Sequence, residues 1–98
     1  SALADPNRLL IIYSLAEGPR CVKDIATAMD VPQPTISRHL KILRERGIVR
    51  AERDGQCIHY RVSDMRIIQA LDILRAILAD QLREQMLLAR QVNQKITP

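Results

Sequence analysis

The strongest constraint on this 98-residue chain is a helix-length amphipathic stretch, Gln33 to Arg46, that passes through one Gly into a basic hairpin ending at Val62. Ile36, Leu40 and Leu43 recur at helical spacing and define a core-facing stripe. Thr35, Ser37, Arg38, Lys41 and Arg44 are left on the outside. The spacing predicts a helix over about 34–46, opened by Pro34 and stopped by Gly47. A shorter helix is expected over 23–29, followed by the turn Asp30-Val31-Pro32-Gln33-Pro34. Two short helices across a tight turn, the second basic and hydroxyl-rich outside, form a helix-turn-helix.

Asp54-Gly55 is a strong hairpin signal. Taken as a two-residue loop it pairs Arg53 with Gln56, Glu52 with Cys57, Ala51 with Ile58, Arg50 with His59 and Val49 with Tyr60. Alternation then places Val49, Ala51, Ile58, Tyr60 and Val62 inside, and Arg50, Glu52, Cys57 and His59 outside. The tip, Arg53 to Gln56, projects as a wing over a hairpin spanning 48–62.

Elsewhere the pattern is helical. Asp5-Pro6 is a helix start, with Leu9, Leu10, Ile12, Tyr13 and Ala16 as its apolar stripe and Glu17-Gly18-Pro19 as its stop. Ser63-Asp64 is expected to cap a last helix over about 65–92. Its stripe runs Ile67, Leu71, Leu74, Leu78, Leu82 and Met86, widened by Ala70, Ile73 and Ile77. A domain this small cannot cover a helix about 40 Å long, so a homodimer joined through Leu71, Leu74, Leu78 and Leu82 is expected. The fold class is therefore mainly α with a small β-hairpin: one winged helix-turn-helix domain with a long C-terminal dimerisation helix.

The net charge of +4 is concentrated where this fold would meet a phosphate backbone. Residues 20–61 carry nine Lys or Arg against five acids, while the segments on either side nearly balance. No run of about 18 apolar residues predicts a membrane span, and the first residues do not read as a signal peptide. Cys21 and Cys57 do not form a secreted disulfide framework, so a cytoplasmic protein with free thiols is expected. An enzyme is not expected: there is no Gly-rich phosphate loop and no HExxH, and His39 and His59 lack a nucleophile partner beyond the cysteines.

Three segments in order resemble the ArsR/SmtB family of bacterial winged-helix repressors. Leu3-Ala-Asp-Pro-Asn-Arg-Leu is similar to its "ALADPTRL" opening. Pro32-Gln-Pro-Thr-Ile-Ser-Arg-His-Leu-Lys-Ile-Leu-Arg-Glu-Arg-Gly-Ile-Val is similar to its "SQSTVSRHLKVLREAGLV" recognition segment. Arg53-Asp-Gly-Gln-Cys-Ile-His-Tyr-Arg-Val is similar to its "REGRxVYYRL" wing. The resemblance implies a homodimeric repressor on an inverted repeat of double-stranded operator DNA, released by an inducer. It also implies a further helix before residue 1 that helps form the dimer.

In that setting Gln33, Thr35, Ser37 and Arg38 are candidates for contacts in the major groove, where Arg pairs with guanine and Gln with adenine. Lys41 and Arg44 suit phosphates, and Arg53 and Gln56 at the wing tip suit the flanking minor groove or backbone. His39 is expected to make a structural hydrogen bond.

The inducer is the open question. Family members of one type bind metal through "ELCVCDL"; here the matching Pro19-Arg-Cys-Val-Lys-Asp-Ile keeps Cys21 but has Lys23 in place of the second thiol. A zinc site on the dimer helix is not expected, since residues 64–96 contain no His or Cys. Cys21, Cys57 and His59 remain as sensing candidates. Winged-helix folds place a short strand near residues 20–22 beside the second wing strand, which would bring both thiols to one sheet. Arg20 and Lys23 beside Cys21 would favour thiolate. A cysteine sensor of arsenite, another thiophilic metal ion or thiol oxidation is therefore expected, with no resident cofactor. The bland readings are a half-buried small residue for Cys21 and a tolerated wing residue for Cys57. The rival functions are a winged-helix protein-interaction module and a constitutive repressor without a ligand.

Overall fold

The computed structural model describes residues 5–96, and Leu3 and Ala4 of the opening motif lie outside that range. Helix α1 (Pro6–Ser14) is followed by β1 (Arg20–Cys21), α2 (Val22–Met29), α3 (Gln33–Glu45), β2 (Val49–Asp54), β3 (Cys57–Val62) and α4 (Arg66–Ile96). A first compact unit ends at Ile68 and a second begins at Gln69. Among the described residues, no helix is long and apolar enough to cross a membrane.

Asp5 caps α1 as expected, accepting the Asn7 N–H at 2.8 Å, with Pro6 in the first turn. The helix stops at Ser14, short of Gly18. The Ser14 hydroxyl turns back onto the Ile11 carbonyl at 2.6 Å, and the next amides of Leu15 and Ala16 make tight i→i−3 bonds. Its buried face also differs from the expected stripe. Ile11, Ile12 and Leu15 enter the core, whereas Leu10 is 55% exposed. The apolar run Leu9-Leu10-Ile11-Ile12 fits several helical faces, and packing alone selects one.

α2 and α3 end in the same way. In α2, Asp30 adopts the left-handed conformation (φ 54°), while the Val31 and Asp30 amides bond back to Ala26 and Thr27. In α3, Gly47 (φ 74°) plays that part, with Ile48 and Gly47 bonding to Leu43 and Arg44. This six-to-one, five-to-two pattern satisfies carbonyls that the helix leaves open and turns the chain sharply. Helix α3 runs 33–45, one residue earlier at each end than the spacing predicts. Ile36, Leu40 and Leu43 are fully buried against the rest of the unit.

The sheet has the order β1-β3-β2, and both pairings are antiparallel. The expected hairpin register is corrected. Asp54 pairs with Cys57, Arg53 with Ile58, Glu52 with His59, Ala51 with Tyr60, Arg50 with Arg61 and Val49 with Val62. The two-residue loop is therefore Gly55-Gln56. Gly55 has φ 64° and Gln56 is not in the positive region, the signature of a type II′ turn with Gly at its first central position. An Asp54-Gly55 loop would have forced Asp54 into positive φ instead. The correction moves each pair by two residues along β3, so the period of two leaves every side chain on its expected face. Val49 and Val62 are buried beneath the sheet, while Ile58, nearer the tip, is 40% exposed.

The Ser63 hydroxyl lies 2.6 Å from the Gly47 carbonyl and 3.0 Å from that of Ile48, which binds the end of β3 to the end of α3. Asp64 alone caps α4, accepting the Arg66 N–H at 2.9 Å and gripping its guanidinium at 2.6–3.1 Å. Arg66 holds the Asp64 carboxyl down from 3.8 to about 2. The ionised pair is thus complete at neutral pH and is lost as pH falls through about 2. A carboxyl NMR titration should place the Asp64 midpoint near about 2, and Arg66→Ala should return it to the ordinary carboxylate range.

Taken by itself, the second unit is helix. It ends at Ile96, beyond the expected 92, and carries ion pairs Asp72–Arg75 and Asp80–Arg83 at 3.6 and 3.2 Å. Its apolar residues, Ile73, Leu74, Ile77, Leu78, Leu82 and Met86 among them, are exposed in the single chain.

Candidate functional site

The outer side of α3 is the first candidate surface. Its core stripe leaves Gln33, Ser37, Arg38, Lys41 and Arg44 exposed and Thr35 half-buried. The expected candidates therefore share one helix and point away from the core. His39 does not join them: it is 4% exposed, and its Nδ1 accepts the Arg8 Nε–H at 3.3 Å. That bond ties α3 to α1 and requires the neutral imidazole tautomer with its proton on Nε2.

Two residues join this surface without having been expected there. Ser37, Lys41, Arg44 and Glu45 form a groove with Tyr60 of β3. Arg50 of β2 lines a second groove with Arg44, Gly47 and Glu52. Alternation alone placed Arg50 outside the hairpin, but its proximity to Arg44 depends on how the sheet packs against α3. Arg50 stands opposite Arg61, and the like charges are relieved by the Arg61–Glu52 ion pair at 2.9 Å. Gln56 lies in the turn itself. Arg53 is exposed and paired with Ile58, so it lies on the face that continues the core side of the sheet toward the tip.

The opposite face of the sheet holds the cysteines. β1 pairs with β3 with Cys21 opposite His59, so the expected third strand is present. Cys57 stands opposite Asp54 and not Glu52; Glu52 faces His59. Cys21 is half-buried and Cys57 exposed, and both thiols are free. The nearest polar partner of Cys21 is a carboxylate and not the expected cations: its Sγ donates to Asp24 Oδ2 at 3.1 Å. Asp24 lies in the first turn of α2, where the helix dipole favours an anion. Among the described residues, no group of three or more His, Cys, Asp or Glu side chains is placed to hold a metal ion.

Comparison with known proteins places this geometry. Residues 5–51 match a family model described as bacterial regulatory protein, arsR family. Over 63 residues, 64% of the chain, it is 48% identical to the HTH-type transcriptional repressor SmtB of Mycobacterium tuberculosis, covering 47% of that protein. It is 50% identical over 62 residues, 62% of its length, to the arsenical resistance operon repressor of Escherichia coli, covering 53% of it. The chain thus spans about half the length of these curated relatives. The solution structure of a homodimeric winged helix-turn-helix DNA-binding domain from Mycobacterium bovis superposes with a TM-score of 0.77 at 32% identity. That match covers 85% of this chain and 77% of the other.

Proposed function

Because the chain belongs to the arsR family of bacterial regulatory proteins, we propose that it is a homodimeric, sequence-specific DNA-binding repressor acting in the cytoplasm. The observation that carries this reading is the outward set on α3: Gln33, Ser37, Arg38, Lys41 and Arg44 exposed opposite a fully buried stripe. A protein-interaction module has no need of a basic and hydroxyl-rich helix beside a basic wing. The N-terminal half of α3 enters the major groove, where Arg38 and Gln33 read base edges. Lys41, Arg44 and Arg50 hold phosphates, and Arg53 and Gln56 extend the contact along the flank.

The second half of the reading is an inverted-repeat operator, matched by a two-fold dimer built on the Leu71, Leu74, Leu78 and Leu82 stripe of α4. The M. bovis domain is homodimeric, which supports a dimer here. The third is induction through Cys21, Cys57 and His59 by a thiophilic metal ion, arsenite or thiol oxidation. The E. coli relative is an arsenical resistance repressor, and the two thiols of this chain rise from one sheet.

Fluorescence anisotropy of the reduced protein on its upstream DNA tests the first and the third. Arg38→Ala should lose about 1–3 kcal/mol on the operator and relax specificity at one position. Lys41→Ala should weaken all duplexes alike and flatten the log–log salt dependence by about one unit. Equal losses from both variants on every sequence would refute base reading by Arg38. Addition of arsenite, Zn²⁺ or a polysulfide should release the DNA, and Cys21→Ser with Cys57→Ser should abolish that release. Release unchanged in the double variant would remove the cysteines from induction.

A further inference from the structure

Tyr60 lies on the central strand of the sheet, paired with Ala51 of β2 on one side and Arg20 of β1 on the other, so its backbone is held from both edges. It forms one wall of a groove of about 560 Å³ against α3, whose other walls are Ser37, Lys41, Arg44 and Glu45. Those four recur at successive turns along the outer face of the helix. Elsewhere in the chain hydroxyls are engaged internally: Ser14, Thr27 and Ser63 each donate to a backbone carbonyl. Among the described residues, the side chains of Ser37 and Tyr60 make no hydrogen bond, and those of Lys41 and Arg44 make no ion pair. Glu45 stands one turn from Lys41 without pairing with it. No buried side-chain nitrogen or oxygen of the described residues lacks a partner, so the half-buried Tyr60 must present its unpaired hydroxyl to solvent.

We propose that Tyr60 joins Ser37, Lys41 and Arg44 in a seat for one phosphodiester group of duplex DNA, with the Tyr60 hydroxyl donating to a phosphate oxygen. The proposal rests on the DNA-binding reading above and adds to it a contact residue from the sheet. The donor set suits that group. Lys41 and Arg44 bring two positive charges and Glu45 one negative, which leaves +1 to meet the single negative charge of a phosphodiester. A phenol and an alcohol add neutral O–H donors for its oxygens. Hydrogen bonds to an ionised acceptor are shorter and stronger than neutral ones. Hydroxyls and cations at the flank of a recognition helix, where a second element meets it, suit the strand bordering the groove and not the base edges on its floor.

A phosphate held there would be gripped by helix and sheet at once. α3 supplies the cations, and β3 supplies a neutral donor whose backbone is fixed by pairing on both edges. The seat would tie the wing strand and the recognition helix to the same point on the DNA backbone while carrying no sequence information itself. Because the Tyr60 donor is uncharged, its contribution involves no counterion release and is the same at low and high salt.

Tyr60→Phe keeps the ring and removes only the hydroxyl, so circular dichroism and the urea midpoint should stay unchanged. In fluorescence anisotropy it should weaken binding to operator and unrelated duplex alike by about 10-fold. Its log–log salt slope should equal that of the unaltered chain, whereas Lys41→Ala flattens the slope. Neutral methylphosphonate, substituted for one phosphate at a time, then locates the seat. At one phosphate of each half-site the substitution should weaken the unaltered chain and remove its advantage over Tyr60→Phe, and Lys41→Ala should lose its effect at the same position. Undiminished binding by Tyr60→Phe overturns the seat and leaves the DNA-binding reading standing. A loss that persists at every methylphosphonate position also overturns it, since the hydroxyl would then act through the fold. Failure of the unaltered chain to bind any duplex refutes the DNA-binding reading and the seat together.

Discussion

Leu40→Ala should destabilise the chain by about 2–5 kcal/mol in urea unfolding, and Ser37→Ala, three residues away on the same helix, by no more than about 0.5. Leu40 is 0% exposed at the middle of α3, between Ile36 and Leu43, so truncation removes its buried surface and leaves a cavity. Domains of this size are stable by only about 5–15 kcal/mol, so the loss takes a large part of the total. Ser37 is exposed and makes no such contribution. The contrast also tests how the outward surface of α3 is built. The outward set on α3 can be basic and hydroxyl-rich because stability comes from the other side of the helix. Equal losses from the two substitutions would mean that α3 is not seated as described. The expected difference corresponds to a fall in Tm of about 10 °C or more for Leu40→Ala alone.

Leu74→Asp combined with Leu78→Asp should convert the protein to an 11.2-kDa monomer and lower operator affinity by about 10²–10⁴-fold. Both leucines are about half exposed in the single chain, 51% and 54%, so the fold of one copy does not depend on them. In a dimer they would be buried against their mates, and paired carboxylates there would carry an uncompensated desolvation penalty. Two half-sites held by one dimer gain their affinity from linkage, so separation removes that gain while leaving each α3 surface unchanged. Sedimentation gives the mass and anisotropy the affinity. A variant that stays dimeric would place the interface elsewhere, and a monomer with undiminished affinity would mean that one copy suffices for DNA.

Local chemistry accounts for what was legible beforehand. The Asp5-Pro6 start, the Gly47 stop and the Ile36, Leu40, Leu43 stripe each depend on residues within one or two helical turns. Spacing and cap chemistry alone therefore suffice to locate them. The faces of the hairpin were legible for the same reason, because a period of two survives even an error in register. The site candidates of α3 followed directly from its stripe.

Short-range periodicity and backbone preference thus place the helices and the hairpin along the chain, and fix the buried side of α3 and of the hairpin strands. The tertiary structure decided the rest. It chose Ile11 and Leu15 over Leu10 for the core, because a run of four apolar residues fits more than one helical face until a neighbour packs against it. It set the turn at Gly55-Gln56, because only Gly accepts the positive φ there without strain. It brought Arg50 and Tyr60 beside α3, and Cys21 beside His59 across 38 residues of chain. Such meetings depend on how strands pair and sheets pack, which no local pattern records.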